Sequence, residues 1–393
     1  MRVAYVCTDP GIPVFGTKGA SVHVQAVLRV LVAAGAEVHL LCARTGGEPP
    51  PDLTPVRVHR LSRVRGVGAA EREKSAAASD AEVGALLDRL HAEEPLDLVY
   101  ERYALWGRSA TARAAATGVP SVLEVNAPLV EEQARHRDLV DREGAENVAC
   151  AAISSAQATV CVTEPVASWA RERAADATRV HVVANGVDTH RIRPADRPVA
   201  GPSGSFTLGF VGTLKPWHGV ETLLKATALL VERDAAVQLL LVGAGPRADA
   251  LADQARRLGI SGHVETTGAV HPARIPALLQ RMDLAVAPYP AQADFYFSPL
   301  KVYEYLAAGL PVVASDIGTL PALLAHGRLG TLVAPGSPQA LADAIAALRA
   351  DQDRRVALRH AARRAAEGHD WRHVVARTLA TVGVRLEDGS RAA

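Results

Sequence analysis

At 393 residues the chain is too long for one ordinary domain, and two domains are the natural expectation. The 43 basic and 42 acidic side chains leave a net charge of +1, which argues against bulk nucleic-acid binding and against a strongly basic membrane-binding surface. Hydrophobic residues make up 49% but aromatics only 4%, so the cores must be built from Ala, Val and Leu.

The apolar run over 2–7 predicts a strand. A glycine-bearing loop follows from Gly11 to Gly19, then a helix over 20–34 that Gly35 ends, then a second strand over 37–42. From 48 to 78 the chain is rich in Pro and Arg and reads as a long loop with short pieces. Strand-like runs resume at 96–100, 121–125, 159–162 and 180–183, most of them separated by helical stretches. Such alternation implies a parallel sheet covered on both faces. Asn185-Gly186-Val187-Asp188 is a turn, and the Pro-, Gly-, Ser- and Ala-rich stretch 193–205 reads as an interdomain linker. A second series of strands lies at 207–211, 238–242, 264–266, 284–287, 312–314 and 331–333. The final helical stretch, 371–384, is expected to return to the first domain. The domains are therefore 1–196 and 197–368, followed by a C-terminal helical segment, 369–393.

Four cysteines, Cys7, Cys42, Cys150 and Cys161, are scattered in apolar runs with no CxxC pair, and read as reduced core residues of a cytoplasmic protein. The N-terminus enters a strand directly, with no signal-peptide pattern, and no apolar run is long enough to span a bilayer. Peripheral membrane contact stays open.

Ligands of such sheets bind beyond the carboxyl ends of the strands, so the loops after Val211, Val242, Thr266, Ala287 and Ala314 carry the candidates. The richest stretch runs from Asp294 to Glu304. Ser298 suits an N-cap and Pro299 the first helical position, with the helix ending near Ala308 before Gly309 and Pro311. Lys301 then sits in the first turn, where a cation opposes the helix dipole unless an anion is bound there. Glu304 follows on the same face and suits ribose hydroxyls. An ordinary capped helix with a snorkelling lysine fits the segment equally well. In the loop Gly212 to Gly219, Lys215 and His218 stand beside a helix start and suit phosphate, against the plain alternative of a turn with exposed charges. Gly243-Ala244-Gly245-Pro246 lets backbone approach a ligand, or simply opens a helix. Gly268-Ala269-Val270-His271-Pro272 offers backbone to a nucleobase edge, or is a plain connection.

In the first half, Gly16-Thr17-Lys18-Gly19 lies between strand and helix without forming a dinucleotide fingerprint, and the second strand runs out in Cys42-Ala43-Arg44 without an acid for a ribose; both argue against NAD. Asp9, His23, Glu124 and Asn126 are placed to face an interdomain cleft, although each taken singly is more often structural. Asp351-Gln352-Asp353 is a literal DxD, but it opens an Arg-rich helix where acids are expected for dipole reasons. His369 and His373 are four apart with no third ligand in evidence.

Taken in order, these pieces resemble the GT-B glycosyltransferases of family 4. The resemblance rests on Gly16–Gly19, on 183–188, on 209–212 with Gly219, on 241–246, on Gly268, and most strongly on Ser298-Pro299-Leu300-Lys301 with Glu304 running into 308–314. It implies an α/β protein of two Rossmann-like domains whose parallel sheets face an interdomain cleft, the N-terminal domain binding acceptor and the C-terminal domain the nucleotide sugar. It implies a retaining transfer from a nucleotide diphosphate sugar, with no cofactor and no essential metal; the low net charge and the absence of a marked basic amphipathic helix favour a small soluble acceptor over a lipid. Gly16, Thr17 and Gly19 would lie near the donor's diphosphate and sugar. Lys301, the Ser298 end of its helix, Lys215 and His218 would hold the diphosphate, with Lys301, Lys215 and His218 acting on the leaving group, and Gly212, Thr213, Gly243 and Leu300 would also line the donor site. Glu304 would bind ribose, backbone near Val270 and Ile275 the base, and Asp294, Tyr296 or the backbone N–H groups at Phe297 would take up sugar contacts. Asp9, His23, Glu124 and Asn126 would serve the acceptor side. Two departures from the family matter, at three positions. Tyr296 stands where a first glutamate is usual, eight residues before Glu304, and Thr213 and His218 stand where Arg and Lys are usual. The Ser-Pro-Leu-Lys segment marks this combination as a subtype. A sugar-nucleotide epimerase of the same fold, and a non-catalytic nucleotide-sugar-binding protein, are the competing readings.

Overall fold

The computed structural model describes residues 1–195, 205–233 and 236–386. The first sheet has seven strands: β1 (Arg2–Cys7), β2 (Glu37–Cys42), β3 (Arg57–Arg60), β4 (Leu98–Arg102), β5 (Ser121–Val125), β6 (Ala158–Cys161) and β7 (Val180–Val182). Their order is β3-β2-β1-β4-β5-β6-β7, and every pairing is parallel. The second sheet has six: β8 (Phe206–Val211), β9 (Val237–Val242), β10 (Val264–Thr266), β11 (Leu284–Ala287), β12 (Val312–Ser315) and β13 (Thr331–Val333). They run β10-β9-β8-β11-β12-β13, again all parallel. In both sheets the strand order reverses beside the first strand, β1 or β8. That reversal opens a crevice at the carboxyl ends, where such folds take ligands. Central strands are buried because both faces are covered, and mostly apolar; all six residues of β1 are buried, Arg2 included.

The chain forms two compact units. One comprises Met1–Asn185, Tyr296–Ser298 and the described residues from Trp371 on; the other comprises Gly186–Phe295 and Pro299–Asp370. The expected boundary at 196/197 and the 196–204 part of the expected linker lie outside the described residues. In the first unit the helix Gly19–Ala33 buries Val24, Val27, Leu28 and Leu31 against the sheet, and Trp371, Val374, Val375 and Leu379 of the helix Trp371–Ala380 join the same core. In the second, Leu208 and Phe210 of β8 pack with Leu239 and Leu241 of β9 and with Leu223 and Leu224 of the helix Val220–Arg233.

The stretch 48–78 corrects the sequence expectation. It holds β3 and the first ten residues of a 25-residue helix, Ala69–Glu93. β3 is an edge strand whose Arg57 and Arg60 are exposed, so it lacks an apolar alternation. The helix begins Ala-Ala-Glu-Arg-Glu-Lys, where strong helix formers and not an apolar stripe carry the structure. The prolines that suggested a loop, Pro49, Pro50, Pro51 and Pro55, end well before it. Cys7, Cys42 and Cys161 are buried and Cys150 partly so, all as free thiols.

Candidate active site

In the second unit, β8 ends under a tyrosine: the Val211 N–H donates to the Tyr305 hydroxyl at 2.8 Å. The next residue, Gly212, has φ +148°, and a Cβ there would stand 2.9 Å from Lys301 Nζ. A glycine is thus required on both counts. Lys301 is 8% exposed. Its Nζ lies 4.0 Å from the Phe210 ring centroid and 5.2 Å from that of Tyr289, and it has no hydrogen-bond partner among the described residues. Burial lowers this ammonium to about 7, with Glu304 pulling the other way. Aromatic faces attract a cation but do not neutralise it. A buried lysine with no acceptor among the described residues, at the start of a helix, is suited to meet an anion.

The helix start differs from expectation by one residue. The helix is Leu300–Ala307, its N-cap is Pro299, and no side chain caps it. Pro299 has ψ 83°, outside the helical region, and its carbonyl takes the Val302 N–H at 2.9 Å. Ser298 Oγ is buried and has no partner among the described residues, so it is not the cap. The first N–H groups, of Leu300 and Lys301, stay outside the helical hydrogen-bond series. At the far end Gly309 and Leu310 donate back to Leu306 and Tyr305 at 3.0 and 2.9 Å, which closes the helix as expected. Glu304 is half-buried; burial raises its carboxyl to about 7, opposed by Arg191 and then by Lys301.

In the neighbouring loop, Lys215 Nζ lies 4.6 Å from the Trp217 ring centroid. His218 Nδ1 is 2.5 Å from the Thr213 carbonyl, which can only accept, so Nδ1 carries the proton. Burial, followed by the charge of Lys301, lowers His218 to about 4. In its neutral form Nε2 is a bare acceptor. His218 therefore does not meet a phosphate as a resting cation, and Lys215 and Lys301 carry the positive charge of this loop cluster.

Gly243 has φ +140°, and the close approach it permits is to the neighbouring loop: a Cβ would stand 2.0 Å from the Gly212 carbonyl. Gly243 also bridges to Gly268, so the loops after β8, β9 and β10 lie side by side. Val270 and Ile275 flank the turn Pro272–Arg274, and Ile275 opens the helix Ile275–Leu279. The Pro272 carbonyl accepts from Arg191 at 2.9 Å. Tyr296, Phe297 and Ser298 belong to the first unit. The Thr163 hydroxyl donates to the Tyr296 carbonyl at 2.6 Å, and the Tyr296 hydroxyl donates to the Glu132 carboxylate.

In the first unit, Gly16 closes a turn onto Pro13, and Gln25 donates to the carbonyls of Val14 and Gly16 at 2.8 and 2.9 Å; Thr17 and Gly19 are exposed beyond it. Asp9 accepts from the Gly11 N–H at 2.7 Å. His23 and Glu124 pair directly, both buried, and Arg102 Nη1 lies 4.0 Å from the other Glu124 oxygen. Burial alone would raise Glu124; His23, Arg102 and Asn126 overcome it and hold the carboxyl at about 2. Asp351 caps the helix Gln352–Glu367 by accepting from Arg354 N at 2.8 Å, which gives this acid a structural duty. No group of three or more His, Cys, Asp or Glu able to hold a metal occurs among the described residues. Nor, among them, is any helix long and apolar enough to cross a membrane.

Sequence reasoning missed Arg102, Arg191, Phe210, Tyr289 and Tyr305. Phe210 and Tyr305 lie in apolar stretches that read as core. Arg191 lies three residues past the Asn185–Asp188 turn, and that proximity was the only signal.

Two parallel sheets with loop-borne charges at their carboxyl ends, and a buried lysine opening a helix beside the first strand of the second sheet, define the GT-B glycosyltransferase fold. The pattern described as "Glycosyltransferase Family 4" matches residues 17–191, and that described as "Glycosyl transferases group 1" matches 205–351. The D-inositol 3-phosphate glycosyltransferase 2 of Catenulispora acidiphila is 31% identical over 361 residues, covering 84% of this chain and 81% of the relative. The chain belongs to the family 4 glycosyltransferases. The D-inositol 3-phosphate glycosyltransferase of Nocardia farcinica is 34% identical over 235 residues, 56% of this chain; the match spans about half, 51%, of that relative's length. Among solved structures, sucrose-phosphate synthase from Thermosynechococcus elongatus superposes with a TM-score of 0.71 at 20% identity, covering 97% of both chains. Anabaena Alr3699/HepE, in complex with UDP and glucose, superposes with a TM-score of 0.70 at 20% identity, covering 97% of this chain and 100% of that one.

Proposed function

We propose that this protein is a retaining glycosyltransferase that moves a sugar from a nucleotide diphosphate sugar to a hydroxyl of a phosphorylated cyclitol, without an essential metal. One observation carries the reading: Lys301 is buried between two aromatic rings with no anion to pair it, at a helix start whose first N–H groups are free. A leaving diphosphate is the anion such a site lacks. The donor class is supported by the Anabaena structure, which holds UDP and glucose. The acceptor class is supported by the relatives' names, which specify D-inositol 3-phosphate.

In this reading the acceptor oxygen bonds to the anomeric carbon from the face that the phosphate leaves. The carbon–oxygen bond to the diphosphate breaks, and the acceptor proton passes to a departing phosphate oxygen. Lys301, Lys215 and the N–H groups of Leu300 and Lys301 meet the charge where it develops. Glu304 takes the ribose hydroxyls. His218, neutral, packs edge-on against Tyr289, one of the two rings around Lys301.

The test incubates the protein with UDP-, GDP- and ADP-sugars and inositol phosphates, with and without EDTA. The expected product is a glycoside that keeps the donor's anomeric configuration, formed equally with EDTA present. Failure of every nucleoside diphosphate to raise the melting temperature overturns the reading. Conversion of a nucleotide sugar in the absence of any acceptor favours the epimerase instead.

A further inference from the structure

Arg191 lies outside every segment that marked the donor site. Asp188 fixes its origin: Oδ1 accepts the N–H groups of His190 and Arg191 at 3.1 and 2.8 Å, and Oδ2 lies 3.7 Å from Arg191 Nε. From that turn Nη1 reaches the Pro272 carbonyl at 2.9 Å. The side chain is one-third exposed, and Nη2 has no hydrogen bond among the described residues. The guanidinium is also the foremost favourable charge on Glu304, ahead of Lys301 on Glu304's own helix. Arg363 donates to the Thr189 and Ile192 carbonyls on either side of Arg191, at 3.1 and 2.9 Å, and to the Ala307 carbonyl of Glu304's helix at 3.1 Å, so the turn that carries Arg191 is held against that helix. Of the other titratable groups on the helix, Tyr305 feels the Glu304 charge and His369 packs edge-on against Tyr303.

We propose that Arg191 is a positioning residue of the donor site: it ties the 270–275 loop to the turn at Asp188 while facing Glu304, so that the ribose-binding carboxylate and the base-binding backbone are held as one piece. The inference rests on the reading of Glu304 as the ribose acceptor. Arginine is suited to the task because its planar fork serves a carbonyl and a carboxylate together and it stays charged; lysine supplies the charge without the fork.

The probe is whichever bare nucleoside diphosphate, UDP, GDP or ADP, stabilises the wild type most. Its affinity is measured by calorimetry from pH 5.5 to 8.5 for the wild type, Arg191→Met, Arg191→Lys, Glu304→Gln and the double variant Arg191→Met/Glu304→Gln. Arg191→Met is expected to weaken binding roughly tenfold, the scale of one charge-assisted hydrogen bond. It also moves the acid limb of the profile to higher pH, because without the guanidinium Glu304 holds its proton longer. Arg191→Lys restores the limb but not the full affinity. In the Glu304→Gln background the acid limb is gone, and Arg191→Met costs less than it does alone. An acid limb unmoved in Arg191→Met, or losses that simply add in the double variant, overturn the proposal even if affinity falls. If Arg191→Met does not fold, Arg191→Lys decides: loss of affinity with the limb in place supports the proposal, and unchanged affinity defeats it. A wild type that binds no nucleoside diphosphate defeats the glycosyltransferase reading itself, and this inference with it.

Discussion

Lys301 sits where its charge is least comfortable in the free protein, buried and lowered to about 7. Lys301→Ala should therefore fold as well as the wild type and lose about 2.7–4 kcal/mol of transition-state stabilisation, a fall of roughly two to three orders of magnitude in kcat. Urea denaturation beside a rate assay checks both halves. The same residue predicts a proton count. A diphosphate bound beside Lys301 favours its charged form, so the bound pKa lies above the free value near 7. Binding above pH 7 must then take up protons, and binding near pH 5.5 must not. Calorimetry at pH 8 in two buffers of different ionisation enthalpy should show uptake that Lys301→Met removes. Lys301 and Glu304 were legible in the sequence because they lie on one short helix, three residues apart. The rings around the ammonium were not, because Phe210 and Tyr289 come from distant segments and look like core. Nor was the state of His218, which depends on a carbonyl five residues away and on burial.

Among elements, the loop after β8 is the most tightly specified. Gly212→Ala places a methyl 2.9 Å from Lys301 Nζ on a backbone at φ +148°. The variant should lose about 1–3 kcal/mol of stability from strain and bind nucleoside diphosphate more weakly, because the ammonium must move. Thermal melting and calorimetry separate the two effects. The helix that follows Asp351 gives a contrasting case. Asp351→Ala removes an N-cap and should cost about 1 kcal/mol in urea unfolding, whereas Asp353→Ala should be nearly silent. If transfer proceeds without a metal as proposed, both variants should transfer sugar equally well with and without EDTA. Most strands could be placed to within two residues from their apolar runs, since buried parallel strands leave little else in the sequence. β3 and the start of the helix Ala69–Glu93 could not, because an exposed edge and a helix without an apolar stripe carry no such signal.

At the scale of the whole molecule, two sheets share the same winding, and each buries a charged side chain near the carboxyl end of its first strand or a neighbour. In the first, the cost of burying Glu124 is offset by His23 and Arg102. A carboxyl held at about 2 instead of 4.5 contributes its stability fully above pH 4.5 and loses it as pH falls toward 2. Glu124→Gln should therefore be less stable than the wild type above pH 4.5, with the gap closing during acid titration below 4.5. The core of this unit has a further property. His23 packs 4.6 Å from the Trp371 ring, and Trp371, Val374 and Leu379 complete the apolar face of the helix Gly19–Ala33. These partners are 348 residues apart in the case of His23 and Trp371, with the second unit encoded between them. Domains ordinarily fold in the order in which the ribosome delivers them. Here the part made first must wait, its helix face incomplete, until the helix that starts at Trp371 has emerged, and the unit encoded between them is the first able to finish. The nascent polypeptide thus carries an open apolar surface while the whole second unit is made, a period in which chaperone protection matters more than it does once the helix has docked.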